Sequence, residues 1–214
     1  MQNWTERRML VKLYLTRHGQ TEWNLQRRLQ GWKNSNLTSK GRKEAVLLGE
    51  RLKSVDLDII FSSSSMRAVE TAEIIARDRD IEIKLEDNLR EIHSGKWEGN
   101  TLSDIEKLFP EEYYIYQNTP HLYKANNGGE TFFQVQKRAI SVINRIIYEG
   151  EYENVLIITH GVTVRVIMAY FENYPMKKLW ETPHINNTSL TLIEIDEKNI
   201  NIPLYGDISH LKTD

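Results

Sequence analysis

The chain has 214 residues, 40% of them hydrophobic, and a formal net charge of −2 at neutral pH. This length and composition predict one globular domain over residues 1–214, and the slight negative charge argues against nucleic acid as the main partner. Because the chain contains no cysteine, disulfides, thiol catalysis and cysteine-bound zinc are all excluded.

The sequence predicts neither a membrane span nor a secretory signal. No stretch approaches the roughly 18 consecutive apolar residues that a span requires, and the first nine residues are polar and charged. We therefore expect a cytoplasmic protein without a membrane partner. Residues 1–8 precede the first predicted strand, and we expect them to form a poorly ordered N-terminal extension.

Strands and helices are predicted in alternation along the first ninety residues. Short apolar runs bounded by polar residues predict buried strands, and apolar residues three or four apart predict helices. The predicted elements are a strand over 10–15, a helix over 39–53 capped by Thr38, a strand over 58–61 leading into four serines, a helix with Arg67 in its first turn, and a short strand at Ile81 and Ile83.

The pattern weakens between about residues 92 and 130 and then becomes regular again. Ser103 and Glu106 predict a capping box for a short helix, and residues 110–130 predict a surface excursion. Beyond it are predicted a long helix from a capping box at Thr131 and Gln134 to Tyr148, a buried strand over 155–158 and a final strand over 189–195. Such alternation predicts a three-layer α/β/α fold, whose mostly parallel central sheet has helices on both faces.

Two predicted strand ends carry residues suited to phosphate chemistry. An Arg-His-Gly at residues 17–19 follows the first strand, and His160 follows the strand over 155–158, again before a glycine. Loops at the carboxyl ends of strands carry function in open α/β sheets. The planar arginine fork suits phosphate oxygens, and a neutral histidine is nucleophilic at pH 7. One histidine in such a place is more often structural, but two with arginines at similar junctions favour phosphate chemistry.

These motifs resemble the signature of the histidine phosphatase superfamily, the phosphoglycerate-mutase-like enzymes. Its hallmark is Arg-His-Gly, then Glu or Gln, Thr or Ser and, after two further residues, Asn, as at 17–21 and Asn24. The resemblance covers residues 10 to 195 and continues through Gly31-Trp32, Leu37-Thr38-Ser39-Lys40-Gly41, Ser62-Ser63, Arg67-Ala68, Thr71-Ala72, Leu89-Arg90-Glu91, Gly95, Trp97-Glu98-Gly99, Gly128-Gly129-Glu130-Thr131 and Thr159-His160-Gly161.

The resemblance implies a mechanism without metal or other cofactor. His18 would attack phosphorus and carry the phosphoryl group as phosphohistidine, while Arg17, Arg67 and His160 surround the transferred oxygens. Glu91 matches the position of the family's general acid and base. The expected substrate- or phosphate-binding residues are Arg17, Thr21, Asn24, Gln30, Gly31, Arg67, His160 and Gly161, with Thr21 and Asn24 contacting phosphate or positioning the loop.

Several polar and aromatic side chains allow two interpretations. Glu91 could instead be a surface residue paired with Arg90, in which case Glu98 is the next candidate acid, although a loop role is preferred for Glu98. His93 could line the pocket, whereas the other histidines are expected at the surface: His121, His184 and His210. A tyrosine group could either cap the pocket or pack an amphipathic segment: Tyr113, Tyr114 and Tyr116.

Hydrolysis is favoured over phosphoglycerate mutase activity within this family. The mutases carry an inserted arginine pair, whereas residues 100–130 here contain only Lys107 and Lys124 as basic residues. The mutases also place Gly-Asn after the second histidine, where this chain has Gly161 and Val162. The resemblance therefore implies a phosphatase of small phosphorylated metabolites. The aromatic-rich residues 109–123 suggest a partly apolar pocket wall, and a non-catalytic phosphate-binding scaffold is the third alternative.

Overall fold

The computed structural model describes residues 10–196 and 199–212, so the expected extension over 1–8 lies outside the described residues. Short 3₁₀ segments connect several of the main elements. In chain order these elements are β1 (Val11–Arg17), α1 (Glu22–Leu25), α2 (Ser39–Arg51), β2 (Ile59–Ser63), α3 (Met66–Ala76), β3 (Ile83–Glu86), α4 (Leu102–Leu108), α5 (Pro110–Asn118), α6 (Phe132–Glu149), β4 (Asn154–Thr159), α7 (Gly161–Phe171), β5 (Leu190–Ile195) and β6 (Ile200–Asp207).

The strands form one six-stranded sheet in the order β3-β2-β4-β1-β5-β6. Strands β1 to β4 run parallel to one another, and β5 pairs antiparallel with both β1 and β6. The predicted mostly parallel sheet is confirmed. Arg17 pairs with Thr159 in the register of β1 and β4, so the residues that follow these two strands emerge side by side.

The two faces of the sheet bury different helices, because side chains alternate along each strand. Leu13 and Leu15 belong to a core that includes the apolar faces of α6 and α7. Tyr14 points to the opposite core, formed with α2 and α3. Helices therefore cover both faces, as the three-layer prediction requires. Helix α6 begins at the predicted capping box of Thr131 and Gln134.

The sequence prediction is wrong for the cap of α4 and for residues 110–130. Helix α4 is capped by Thr101 rather than Ser103, because the Thr101 hydroxyl accepts a hydrogen bond from the backbone N–H of Asp104 (3.1 Å). Residues 110–130 are not a simple surface excursion. They include α5, and Tyr116 and Tyr123 are buried in an aromatic core around Trp97 and Phe132.

The sequence analysis also missed strand β6, which follows the predicted final strand. Its Pro203 and Gly206 weaken the strand pattern, but β6 is an edge strand, where a residue without an N–H is tolerated. None of the helices in the described ranges is both long enough and apolar enough to cross a membrane.

Candidate active site

The ends of β1 and β4 bring two histidines together. His18 follows β1 and His160 follows β4, and their ring centroids lie 5.1 Å apart. Arg67, from the first turn of α3, reaches both rings. Its Nε lies 3.2 Å from His18 Nε2, and its Nη2 lies 3.1 Å from His160 Nδ1. All three side chains are at most 2% exposed, so they form one buried, positively charged group.

The hydrogen bonds of His18 identify which ring nitrogen carries the proton. Nδ1 lies 2.7 Å from the carbonyl oxygen of Gly19. Because a carbonyl only accepts, Nδ1 carries the proton, and Nε2 is the unprotonated nitrogen. Burial lowers the pKa of His18 well below its usual 6.5, and the charges of Arg67 and Arg17 lower it further. His18 is therefore held neutral, with Nε2 as a potential nucleophile.

His160 is oriented by Ser63, which belongs to the resemblance motif Ser62-Ser63 but was not among the predicted site residues. His160 Nε2 lies 2.8 Å from Ser63 Oγ, while Nδ1 accepts from Arg67. Burial and the Arg67 charge lower the pKa of His160 well below 6.5. The neutral ring thus carries its proton on Nε2 and presents Nδ1 toward Arg67. Ser63 is the last residue of β2 and belongs to the serine run at residues 62–65, which was a usable signal in the sequence.

Arg67 is held entirely by uncharged groups. Its guanidinium donates to the carbonyl oxygens of Gly31 (2.9 Å) and Lys33 (2.8 Å) and to Oδ1 of Asn34 (2.9 Å). Burial is the main cause that lowers the pKa of Arg67 to about 10. The guanidinium remains charged at neutral pH, and its neutral partners leave that charge available to an anion.

Arg17 adds a second cation beside the histidines. Its Nη1 donates to the carbonyl of Ile185 (2.9 Å), and in the described part of the chain its buried Nε has no hydrogen-bond partner. A Cβ built on Gly161 would lie 3.7 Å from this guanidinium, so Gly161 leaves room beside Arg17. The structure therefore brings the predicted Arg17, Arg67, His18 and His160 to one place.

Glu91 lies in the loop that follows β3 and faces the same pocket beside the N-terminus of α7. Its Oε2 accepts from the backbone N–H of Val162 (3.3 Å), and its Oε1 accepts from that of Ile92 (3.0 Å). The alternative of a surface pair with Arg90 does not occur, because the guanidinium of Arg90 pairs with Asp87 at 3.2 Å. The Glu91 carboxylate is thus positioned at a helix N-terminus, with both oxygens close to the site.

Glu98 has the preferred loop role. The residue is 8% exposed, and its carboxylate accepts from the backbone N–H groups of Trp32 (2.8 Å), Lys33 (3.2 Å) and Ser94 (3.1 Å). It therefore fixes the loop whose carbonyls hold Arg67. Gly31 in that loop has a φ of +51°, and a Cβ there would lie 2.1 Å from the Glu98 carboxylate, so the loop needs glycine at this position.

The remaining predicted residues either line the pocket or hold the loop that forms it. Asn24, Gln30 and Gly31 line the pocket. Thr21 is fully buried and caps α1 in a capping box with Asn24, and its hydroxyl also accepts from Gln30 Nε2 at 2.8 Å. Sequence reasoning missed Asn187, which lines the pocket and donates to the carbonyl of His18 (3.0 Å).

The pocket beside these groups has a volume of about 450 Å³. Residues 109–123 are not part of its lining. Tyr116 instead packs against Trp97, with ring centroids 5.6 Å apart. The apolar lining consists of four other residues: Leu29, Ile92, Leu102 and Val162. The expected aromatic pocket wall is therefore wrong, because Tyr116 and Tyr123 are buried in a core, Phe109 and Tyr113 pack against it, and Tyr114 is exposed.

The four remaining histidines agree only in part with expectation. His184 is exposed as predicted, but it also lines the pocket. His210 is half-buried, with Nδ1 3.1 Å from Arg51 Nη1, so its surface assignment is wrong. His121 is exposed. His93 stacks against Trp32 with ring centroids 4.9 Å apart and does not line the pocket.

Comparison with known proteins identifies the family. A sequence profile of the histidine phosphatase superfamily (branch 1) matches residues 13–208. The chain belongs to this superfamily. Among curated relatives, it is 30% identical to Phosphoserine phosphatase 1 of Hydrogenobacter thermophilus, over 88% of this chain and 89% of that protein. It is 31% identical to Phosphoglycerate mutase-like protein 4 of Arabidopsis thaliana, over 94% of this chain and 87% of that protein.

A solved structure shares the whole architecture. YhfR of Bacillus stearothermophilus superposes with a TM-score of 0.91 at 45% sequence identity, over 94% of this chain and 100% of that one. The phosphoglycerate mutase-like α/β/α fold of this histidine phosphatase superfamily member thus agrees with that of its solved relative.

The two buried histidines make the stability of this superfamily member depend on pH. Their pKa values are lowered in the folded state and lie near 6.5 in the unfolded chain. Below pH 6.5 the unfolded chain therefore binds more protons than the folded protein. The contribution of these histidines to the free energy of unfolding is fully present above pH 6.5 and is lost as the pH falls below it. Each histidine contributes a slope of up to about 1.4 kcal/mol per pH unit.

Urea unfolding between pH 7.5 and pH 5 measures this dependence. We expect the decline to be shallower in His18→Ala, which removes one of the titrating groups. An equal slope in the variant and the parent protein would contradict the lowered pKa of His18.

Proposed function

We propose that this protein is a phosphatase that hydrolyses phosphate monoesters of small metabolites through a phosphohistidine on His18. The observation that carries the proposal is the unprotonated Nε2 of a buried, neutral His18, placed 3.2 Å from the guanidinium Nε of Arg67. The hydrogen-bond donors beside this nitrogen are not paired with a carboxylate. They can therefore bind the phosphoryl oxygens while Nε2 attacks phosphorus.

In the first step, the phosphoryl oxygens lie against Arg17, Arg67 and His160. The phosphoryl dianion offsets the Arg67 charge and favours uptake of a proton from solvent at His160 Nδ1. This N–H then donates to a phosphoryl oxygen, and the proton returns to solvent when inorganic phosphate leaves. His18 Nε2 attacks phosphorus, the bond to the leaving oxygen breaks, and Glu91 in its acid form gives that oxygen its proton. The Gly19 carbonyl, bonded to Nδ1–H, stabilises the cationic ring of the phosphohistidine.

In the second step, the Glu91 carboxylate takes a proton from water as the water oxygen attacks phosphorus. The bond between phosphorus and Nε2 breaks, inorganic phosphate leaves, and both His18 and Glu91 return to their starting states. One carboxyl group thus serves as acid and then as base, which requires it to stay beside the reacting phosphorus. The two backbone N–H groups that hold Glu91 provide that position.

Hydrolysis has more support than phosphoryl transfer to a second substrate. Val162 follows Gly161 and lines the pocket with an apolar side chain, where the mutases present an amide. The relative named Phosphoserine phosphatase 1 also supports hydrolysis, while the mutase-like relative keeps mutase activity as the alternative. A non-catalytic scaffold has little support, since the nucleophile, both arginines and Glu91 are all present. We further propose a cytoplasmic location, where small phosphorylated metabolites are found.

A test of this function is phosphate release from a panel of phosphorylated metabolites, with and without excess chelator. Because Arg17, Arg67 and His160 supply the positive charge around the phosphoryl group, we expect the rate to be unchanged by chelation. Complete loss of activity on chelation, restored by a divalent ion, would contradict the mechanism. Failure to release phosphate from every monoester would contradict the function.

A further inference from the structure

The pocket carries more positive charge than one phosphate monoester neutralises. Its lining includes four arginines, Arg17, Arg27, Arg28 and Arg67, against one carboxylate, Glu91. With neutral histidines these groups have a formal charge of +3, although the whole chain has a net charge of −2. A phosphate monoester brings about −1.5 to −2 at pH 7. The site therefore retains positive charge after the phosphoryl group has bound.

Among the residues that the structure describes, Arg27 is the lining arginine whose guanidinium has neither a hydrogen bond nor an ion pair; its electrostatic neighbour is the Tyr113 hydroxyl. Arg67 and Arg17 are assigned to the phosphoryl group, and Arg28 donates to the carbonyl of Gly99 (2.6 Å) and to Gln26 Oε1 (2.8 Å). Arg27 is exposed. Across residues 10–196 and 199–212, no hydrogen bond or ion pair is found for its guanidinium. Its charge is therefore free to meet a ligand.

The backbone of Arg27 adopts a conformation that non-glycine residues rarely take. Its φ is +54°, in the left-handed region that residues with a Cβ disfavour. Two backbone hydrogen bonds hold it there: its N–H donates to the carbonyl of Asn24 (3.2 Å), and its carbonyl accepts from the N–H of Leu102 (3.1 Å). Strained residues of this kind gather at ligand sites, where the surrounding structure fixes a side chain for use.

We propose that Arg27 binds a second anionic group on the substrate. The favoured substrates are then phosphate monoesters whose alcohol part carries a carboxylate or another phosphate, since the planar guanidinium pairs with either. The apolar lining from Leu29 and Leu102 accommodates a short carbon skeleton in the same pocket. This inference rests on the proposed phosphatase function and assigns its substrate class.

The experiment compares two esters that differ in one group. 3-Phosphoglycerate has a carboxylate where glycerol 3-phosphate has a hydroxymethyl group, and both leave as alkoxides. We expect the kcat/KM of the parent protein to be about tenfold higher for 3-phosphoglycerate than for glycerol 3-phosphate. The reason is that a charge-assisted hydrogen bond between Arg27 and the carboxylate stabilises binding by about that factor. Arg27→Gln, which removes the charge but keeps a polar side chain, should bring the ratio near one, and Arg27→Lys should retain part of it.

Arg77→Gln is the matched control, because it removes one exposed positive charge from the C-terminal end of α3, outside this pocket. It should leave the ratio unchanged. The inference is overturned if the parent protein shows no preference, or if the ratio is unchanged in Arg27→Gln. In either case, phosphate release from both esters still supports the phosphatase function. Release from neither ester, nor from p-nitrophenyl phosphate, overturns both.

Discussion

His18→Ala is expected to lower turnover by about 10⁶-fold, the cost of removing one member of a catalytic group that acts as a unit. Alanine has no nitrogen to attack phosphorus, so neither the phosphoenzyme nor its hydrolysis can follow. The fold should persist, because His18 Nε2 and Nδ1 each make one hydrogen bond, to Arg67 and Gly19, and the β1–β4 pairing does not depend on either. Steady-state phosphate release and a thermal unfolding curve measure the two effects.

His121→Ala is the control for this variant, since His121 is exposed and lies outside the pocket lining. It should retain full activity. Substantial phosphoenzyme formation in His18→Ala would contradict the assignment. It would transfer the nucleophile to His160, whose ring centroid lies 5.1 Å away.

Glu91→Gln is expected to slow cleavage of an alkyl phosphate by about 10²–10⁴-fold, the usual contribution of general acid catalysis. An alkoxide is a strongly basic leaving group and needs a proton as it departs. p-Nitrophenolate is stable enough to leave with little help, so its loss of rate should be much smaller. Glutamine preserves the shape of the side chain and removes only the acid. Rapid-quench measurement of phosphoenzyme formation with both esters isolates this step from the dephosphorylation that they share.

Arg67→Ala separates the role of Glu91 from phosphate binding. Arg67 is placed to contact the phosphoryl group common to both esters, so its loss should slow both similarly, by on the order of 10²–10³. Equal losses for the two esters in Glu91→Gln would contradict the acid role and leave Glu91 as a positioning residue. Glu98 would be a poor replacement, because three backbone N–H groups already occupy its carboxylate.

The location of the site could be predicted from the sequence because it depends on local patterns. An apolar run followed by Arg-His-Gly identifies a strand end, and parallel strands place such ends at one edge of the sheet. The prediction that His18 and His160 meet needs only that their strands lie close. The structure makes β1 and β4 direct neighbours, which no local pattern specifies.

The partners that tune the site could not be predicted, since they come from distant parts of the chain. Arg67 is oriented by carbonyls more than thirty residues away in sequence, and backbone carbonyls leave no signature in side-chain identity. The aromatic residues 109–123 illustrate the same limit. Their composition fits a pocket wall or a core, and only packing against Trp97 and Phe132 decides for the core.

The most direct test of the central claim is to locate the phosphate on the enzyme during turnover. The protein is mixed with a phosphate monoester, quenched in alkali within milliseconds, digested under conditions that preserve phosphohistidine, and mapped by mass spectrometry. The account predicts one phosphorylated residue, His18, with the phosphate lost in acid and absent before substrate is added. A phosphate on any other residue, or turnover without a phosphoenzyme under conditions where its formation outpaces its hydrolysis, would contradict the account.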